Sequence, residues 1–165
     1  QALNVTNPDF KTKNGISAAD RKKVAEALGV VLADTYMLFI KTQGVHWNVT
    51  GPTFMGVHKL TEEQYENMFT AADELAERIR ALGQLAPSTM AQIMDASKIQ
   101  DRGIDITTAD MVEDLAADHE RIAHRLHALI ELVDGRKDPV TEDLATQRSA
   151  FHEGAAWMLR AIAKS

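Results

Sequence analysis

The stretch from Val45 to Gly83 reads VHWNVTGPTFMGVHKLTEEQYENMFTAADELAERIRALG and decides how the rest of the chain is organised. It opens with two histidines, His46 and His58, and runs on into a helical pattern that carries acids at Glu62, Asp73 and Glu77. Imidazole mixed with carboxylate suits a borderline-hard ion such as iron or manganese better than a thiolate-loving one. The chain has no cysteine, which removes thiolate zinc sites and disulfides from consideration.

Helical spacing constrains how these groups can work together. Asp73 and Glu77 stand four residues apart, hence on one face a turn apart, and His58 with Glu62 forms a second such pair. From His58 to Asp73 the helix axis rises about 22 Å at about 1.5 Å per residue, whereas metal–ligand bonds are only about 2 Å long. The two pairs therefore cannot hold one ion within one chain. Two copies of this helix lying antiparallel about a two-fold axis would bring one copy's His58 and Glu62 beside the other's Asp73 and Glu77, completing two sites at once. His46, just ahead of the Gly51-Pro52 corner, can fold back onto either pair. The competing reading is a solvated face in which Asp73, Glu74 and Glu77 pair with Arg78 and Arg80. The Glu-x-x-His pattern of di-iron sites inside one bundle is absent, because no glutamate is followed by histidine at that offset.

Outward from this stretch, the pattern predicts an all-α chain. Residues 1–16 lack periodicity and read as a flexible tail, while residues 17–165 form one domain. Ser17 followed by Asp20 signals a helix start, and Val24, Leu28, Val31, Leu32, Leu38 and Phe39 carry that helix to about Gly44. A second helix is predicted from Pro52 or Thr53 to about Leu82, closed by Gly83. Pro87-Ser88 opens a short helix reaching about Ala96. Thr107 or Thr108 starts a third long helix that stops at Asp134-Gly135, and Asp138-Pro139 starts the fourth. Four long amphipathic helices with a short extra one in the connection between the second and third describe a ferritin-like four-helix bundle.

The chain has 165 residues, 45% hydrophobic and 25% charged, which suits one soluble globular domain. Its apolar runs fall far short of the ~20 residues of a membrane span, and no signal-peptide pattern is visible. A cytoplasmic location is expected, with the bacterial nucleoid as the further place. The net charge of -6 opposes a globally basic nucleic-acid binder, although Lys11, Lys13, Arg21, Lys22 and Lys23 gather near the start. A second set of ligand types, Asp114, Asp118, His119, Glu120, His124 and His127, does not converge on one helix face, and His152-Glu153 is no better. These read as buried or capping residues. Trp47 and Trp157 read as core or interface aromatics, and Trp47 beside a candidate ligand is also placed to accept an electron hole.

Two segments carry a resemblance to a known family. The run His46-Trp47-Asn48-Val49-x-Gly51-Pro52-x-Phe54, then His58, then Asp73-x-x-x-Glu77-Arg78-Ile79, resembles the ferroxidase signature of the Dps family, the miniature ferritins named as DNA-binding proteins from starved cells. The ending Ala156-Trp157-Met158-Leu159-Arg160 is similar to that family's last helix. The resemblance implies a hollow dodecamer, built from two-fold dimers with shared sites, that oxidises Fe(II) with hydrogen peroxide and stores ferric mineral, so protecting DNA from oxidative damage. It implies that His46 of one subunit and Asp73 with Glu77 of its two-fold partner hold one iron. His58 and Glu62 would stand near a second, weaker one, giving up to two ions per intersubunit site. Glu62 departs from the aspartate common in the family. Trp47 matches a tryptophan beside the family's iron site and is expected to take part in catalysis.

Asp134, Asp138 and Asp143 are candidates for an acidic three-fold pore, or equally for capping and loop solvation. DNA binding is expected to be weak or absent, because Lys11 and Lys13 are the only lysines ahead of the first helix. Two other classes of function stand beside this one: a nucleoid-compacting structural protein with a vestigial metal site, and a plain helical scaffold.

Overall fold

The computed structural model describes residues 12–103 and 105–164, so residues 1–11 of the expected tail lie outside the described residues. Five helices follow in order: α1 (Ala18–Asn48), α2 (Phe54–Ala81), the short α3 (Met90–Ala96), α4 (Thr108–Val133) and α5 (Pro139–Ala163). The described residues contain no strand. α1 packs chiefly on α2, and α4 chiefly on α5, so two helical hairpins close on one core. Leu28, Leu32, Leu38, Met68, Leu75, Leu115, Ile122, Leu126 and Leu159 fill that core and are sealed from solvent.

The helix starts follow local chemistry. Ser17 Oγ accepts from Asp20 N (3.1 Å), Thr107 Oγ1 from Asp110 N (3.1 Å) and Asp138 Oδ1 from Thr141 N (3.0 Å), each satisfying a first-turn donor. Three boundaries differ from the sequence expectation. α1 does not stop at Gly44 but runs one turn further to Asn48, because Val45, His46 and Val49 are buried there. That burial outweighs the roughly 1 kcal/mol cost of a glycine within a helix. α2 begins at Phe54, since Gly51 turns the chain at φ 99° and Pro52 lies in the turn. α3 begins at Met90, not Pro87-Ser88, because Thr89 and Gln92 make a reciprocal capping box.

Buried charges hold the crossover that carries α3. Asp34, in the middle of α1 and fully sealed, accepts from Ser97 Oγ (2.8 Å) and Lys98 N (2.7 Å) and pairs with Arg125 of α4. Lys41, two turns on, donates to Gln100 O (2.8 Å) and pairs with Asp114 (2.8 Å) and Asp118. Asp118 is thereby spent on the frame. At the other end, Arg78 of α2 donates to Asp138 Oδ1 (2.7 Å) and Thr141 Oγ1 (2.9 Å), tying α2 to the start of α5. Asp138 is buried by this contact and by its cap on Thr141 N, whereas Asp134 and Asp143 are exposed.

One polar contact crosses the core between α4 and α5. His119 and His152, both fully enclosed, place their Nδ1 atoms 2.8 Å apart, so one ring donates and the other accepts. Burial, then the Arg148 charge, pushes His119 down to about 3. Burial, then His119 and Arg148, pushes His152 well below its ordinary value. His124 and His127 remain on the exposed face of α4.

Two outcomes follow from this frame. Asp34→Ala leaves Arg125, Ser97 and the Lys98 amide without their acceptor and is expected to cost about 3 kcal/mol, read as a lowered urea midpoint at fixed protein concentration. The His119–His152 pair sets an acid limit: both folded values lie below 6.5, so the unfolded chain binds more protons once the pH drops beneath that value. Stability is then whole above about pH 6.5 and is lost as the pH falls toward about 3, by up to roughly 2.7 kcal/mol per pH unit for two protons. Urea titrations between about pH 7 and about pH 4 should show this slope, and His119→Leu with His152→Leu should flatten it.

Candidate metal centre

The last turn of α1 and the first turns of α2 meet at His46 and His58. His46 Nδ1 donates to the backbone carbonyl of His58 (2.7 Å), and His58 Nδ1 donates to the carbonyl of His46 (2.8 Å). A carbonyl can only accept, so each Nδ1 carries the hydrogen and each Nε2 presents a lone pair. This is the arrangement by which an outer hydrogen bond fixes the tautomer and aim of a metal-binding imidazole. The rings stack at 3.8 Å with 14° between their planes. Phe54 stacks on the far side of His58 at 5.0 Å, and Tyr65 closes edge-on against His46 at 5.1 Å. Thr61 Oγ1, buried beneath, donates to Val57 O (2.6 Å) and lies 3.4 Å from His46 Nδ1. His46 is buried and His58 half-buried, so two preset imidazoles sit at the rim of the bundle.

Of the carboxylates, Glu62 is the one beside this pair. Lys59, through its hydrogen bond and then its charge, lowers the Glu62 carboxyl below the ordinary carboxylate range. The Lys59–Glu62 ion pair is 3.2 Å long and exposed. Asp73 and Glu77 are exposed further along α2 and have no ion pair among the described residues. No group of three or more metal-ligating side chains comes together in one chain among the described residues. Trp47 lies on the outside of α1, 65% exposed, away from His46 on the helix surface. It shares a stripe with Tyr36 and Ile40, also exposed, within a narrow arc of the helix. Phe69 of α2 adds a further exposed ring, packed on Phe39 at 6.0 Å. The bonding of His46 to His58 could not be read from sequence, because it joins the ends of two helices through backbone atoms. Tyr65 was also missed, although it lies seven residues after His58, one helical side of the same stripe.

Comparison with known proteins defines the class. The ferritin-like domain family matches residues 25–165, and the chain belongs to that family. "DNA protection during starvation protein 2" of Bacillus anthracis is 37% identical over 86% of this chain and 97% of its own length. The crystal structure of antigen TpF1 from Treponema pallidum superposes with a TM-score of 0.86 at 31% identity, covering 92% of this chain and 98% of that one. A Vibrio cholerae Dps protein, described as a member of a broad superfamily of ferritin-like diiron-carboxylate proteins, superposes with a TM-score of 0.85 at 26% identity, covering 96% and 98%. Within the ferritin-like family the chain is therefore a member of the Dps group.

The Lys59–Glu62 contact gives a direct check on the centre's electrostatics. Replacing Lys59 with methionine removes the first-named cause of the lowered Glu62 carboxyl, so Glu62 should titrate at higher pH than in the wild type, as followed by carboxyl-carbon NMR.

Proposed function

We propose that this protein is a ferroxidase and iron store that oxidises Fe(II), with hydrogen peroxide as the preferred oxidant, at sites shared between two-fold related subunits of a hollow dodecamer. The observation that carries the reading is the His46–His58 pair: two imidazoles with fixed Nε2 donors at the bundle rim, with no third ligand set converging on them among the described residues. The exposed Asp73 and Glu77 of a partner supply what is missing, and the exposed stripe of Tyr36, Ile40 and Trp47 with Phe69 is apolar surface suited to that partner. The family relation to proteins described as diiron-carboxylate supports iron as the ion handled.

The division of labour follows from donor type. His46 of one subunit with the carboxylates of Asp73 and Glu77 of the other takes the tighter Fe(II). Hard, anionic oxygen donors favour Fe(III) over Fe(II) and so draw the oxidation forward. His58 and Glu62 take a second ion more weakly, because Lys59 competes for Glu62. Two ions deliver the pair of electrons that peroxide requires: 2 Fe(II) + H2O2 + 2 H+ gives 2 Fe(III) + 2 H2O. Peroxide cleaved in this way releases no hydroxyl radical, which is how such a store spares DNA. Exposed Asp134 and Asp143 near the α4–α5 turn are the remaining candidates for drawing cations through a three-fold pore. DNA binding is weak, since each chain carries a net charge of -6.

Stopped-flow mixing of Fe(II) and peroxide with the wild type should give rapid growth of ferric absorbance, and the double substitution His46→Ala with Asp73→Ala should abolish it. An unchanged rate in the double variant contradicts the site. Light scattering should find no stable monomer at working concentration. Gel-shift titration of duplex DNA at ~0.15 M salt should show no tight retention.

A further inference from the structure

One buried cation lies outside the ion-paired frame and outside the metal centre. Arg148 of α5 is only 6% exposed and lines a cavity of about 350 Å³ between α2 and α5. Its Nη1 donates to Asn67 Oδ1 (2.7 Å), and its guanidinium lies over the Phe151 ring at 4.6 Å. Nε and Nη2 are buried and have no hydrogen-bond partner among the described residues. Arg78 and Arg125 meet Asp138 and Asp34, whereas Arg148 has no ion pair among the described residues. Burial pulls Arg148 down to about 10, with the Glu74 charge opposing, so it stays a cation at neutral pH. A sealed cation with two idle donors is costly until an acceptor reaches it.

The cavity wall supplies the other parts of an anion site. A water takes about 30 Å³, so the space admits a polyatomic ion together with water. Asn67 turns its oxygen to Arg148, which leaves its amide nitrogen to donate. Thr70 Oγ1 makes only a long 3.4 Å bond, to Glu66 O. The edge of a guanidinium formed by Nε and Nη2 matches two oxygens of a tetrahedral oxyanion. Glu74, the acid in the wall, is exposed, so water screens its charge more than that of the sealed Arg148. Thr70 and Glu74 each follow by one residue the exposed Phe69 and Asp73, about 100° round α2, so the cavity lies on another side of the helix from the carboxylates of the shared site.

We propose that the α2–α5 cavity binds inorganic phosphate, held by Arg148 with Asn67 and Thr70 and selected by Glu74. A small turn of the guanidinium presents Nε and Nη2 to two phosphate oxygens, and it breaks no hydrogen bond at either atom. The Asn67 amide and the Thr70 hydroxyl donate to the oxygens that remain. Glu74 sets the choice of anion. Hydrogen phosphate keeps a proton at neutral pH and donates it to the Glu74 carboxylate, whereas sulfate has no proton to give and meets only repulsion there. The site involves no iron, so it stands or falls independently of the ferroxidase reading.

The test is isothermal titration calorimetry on the full-length assembled protein, freed of iron because iron itself binds phosphate. Sodium phosphate should bind saturably at one per chain near neutral pH. Sodium sulfate should bind at least about tenfold more weakly, the worth of one hydrogen bond to a charged group. Arg148→Gln should lose the phosphate heat. Glu74→Gln, a change at an exposed position that leaves the fold intact, should admit sulfate and bring the two affinities together. Absence of saturable phosphate binding in the wild type, or its survival in Arg148→Gln, overturns the site. Equal binding of sulfate and phosphate by the wild type, or an unchanged preference in Glu74→Gln, overturns the role of Glu74. Should Arg148→Gln fail to fold, the wild-type titration and the Glu74→Gln comparison still decide the proposal.

Discussion

Two imidazole N–H groups, those of His46 and His58, each reach the backbone carbonyl of the other residue, at 2.7 and 2.8 Å. Because the bonds are reciprocal, neither ring can turn without releasing both, and the stacking at 3.8 Å adds a second restraint. The contact also joins the end of α1 to the start of α2, so it fixes the corner at Gly51 as well as the tautomer of both rings. Phe54, Thr61 and Tyr65 are all arranged on this pair. The metal chemistry proposed above depends on the two Nε2 lone pairs that this contact leaves facing outward.

The surroundings of the pair explain why the chain would work only in company. Asp73 and Glu77 are exposed about four to five helical turns from His58, beyond the reach of any ion held by His46. Tyr36, Ile40, Trp47 and Phe69 expose apolar surface along the two helices that lead away from this corner. A two-fold partner would cover the apolar stripe and bring in the carboxylates in a single step. On that reading, catalytic competence and assembly are one event, and the frame of buried pairs at Asp34, Lys41 and Arg78 serves to keep each chain's half of the site in register.

Much of this was legible in the sequence because it is written in local or periodic terms. The apolar stripe at 3.6-residue spacing gave four long helices, Ser17, Thr107 and Asp138 announced their starts, and the rise of a helix showed that His58 and Asp73 cannot share an ion within a chain. What escaped was non-local. Gly44 and the nearby Pro52 suggested an early end to α1, yet burial of Val45 and Val49 carried the helix past it, which moved His46 from a loop into a helix. Asp34 and Lys41 carry no signal of burial in the sequence, and only packing shows them paired inside, Lys41 with Asp118. His119 and His152 are 33 residues apart on different helices, so nothing local announces their contact. Asp138 was open between pore and cap, and Arg78 decides it for the cap.

The central claim, that one working site draws His46 from one subunit and Asp73 with Glu77 from another, is tested most directly by subunit complementation. His46→Ala chains and Asp73→Ala/Glu77→Ala chains, each inactive alone, are unfolded together and refolded as a mixture. A shared site predicts recovery of about one quarter of wild-type peroxide-dependent Fe(II) oxidation, since half the dimers mix and each mixed dimer holds one whole site. A mixture as inactive as its components, in refolded shells of full size, would contradict it.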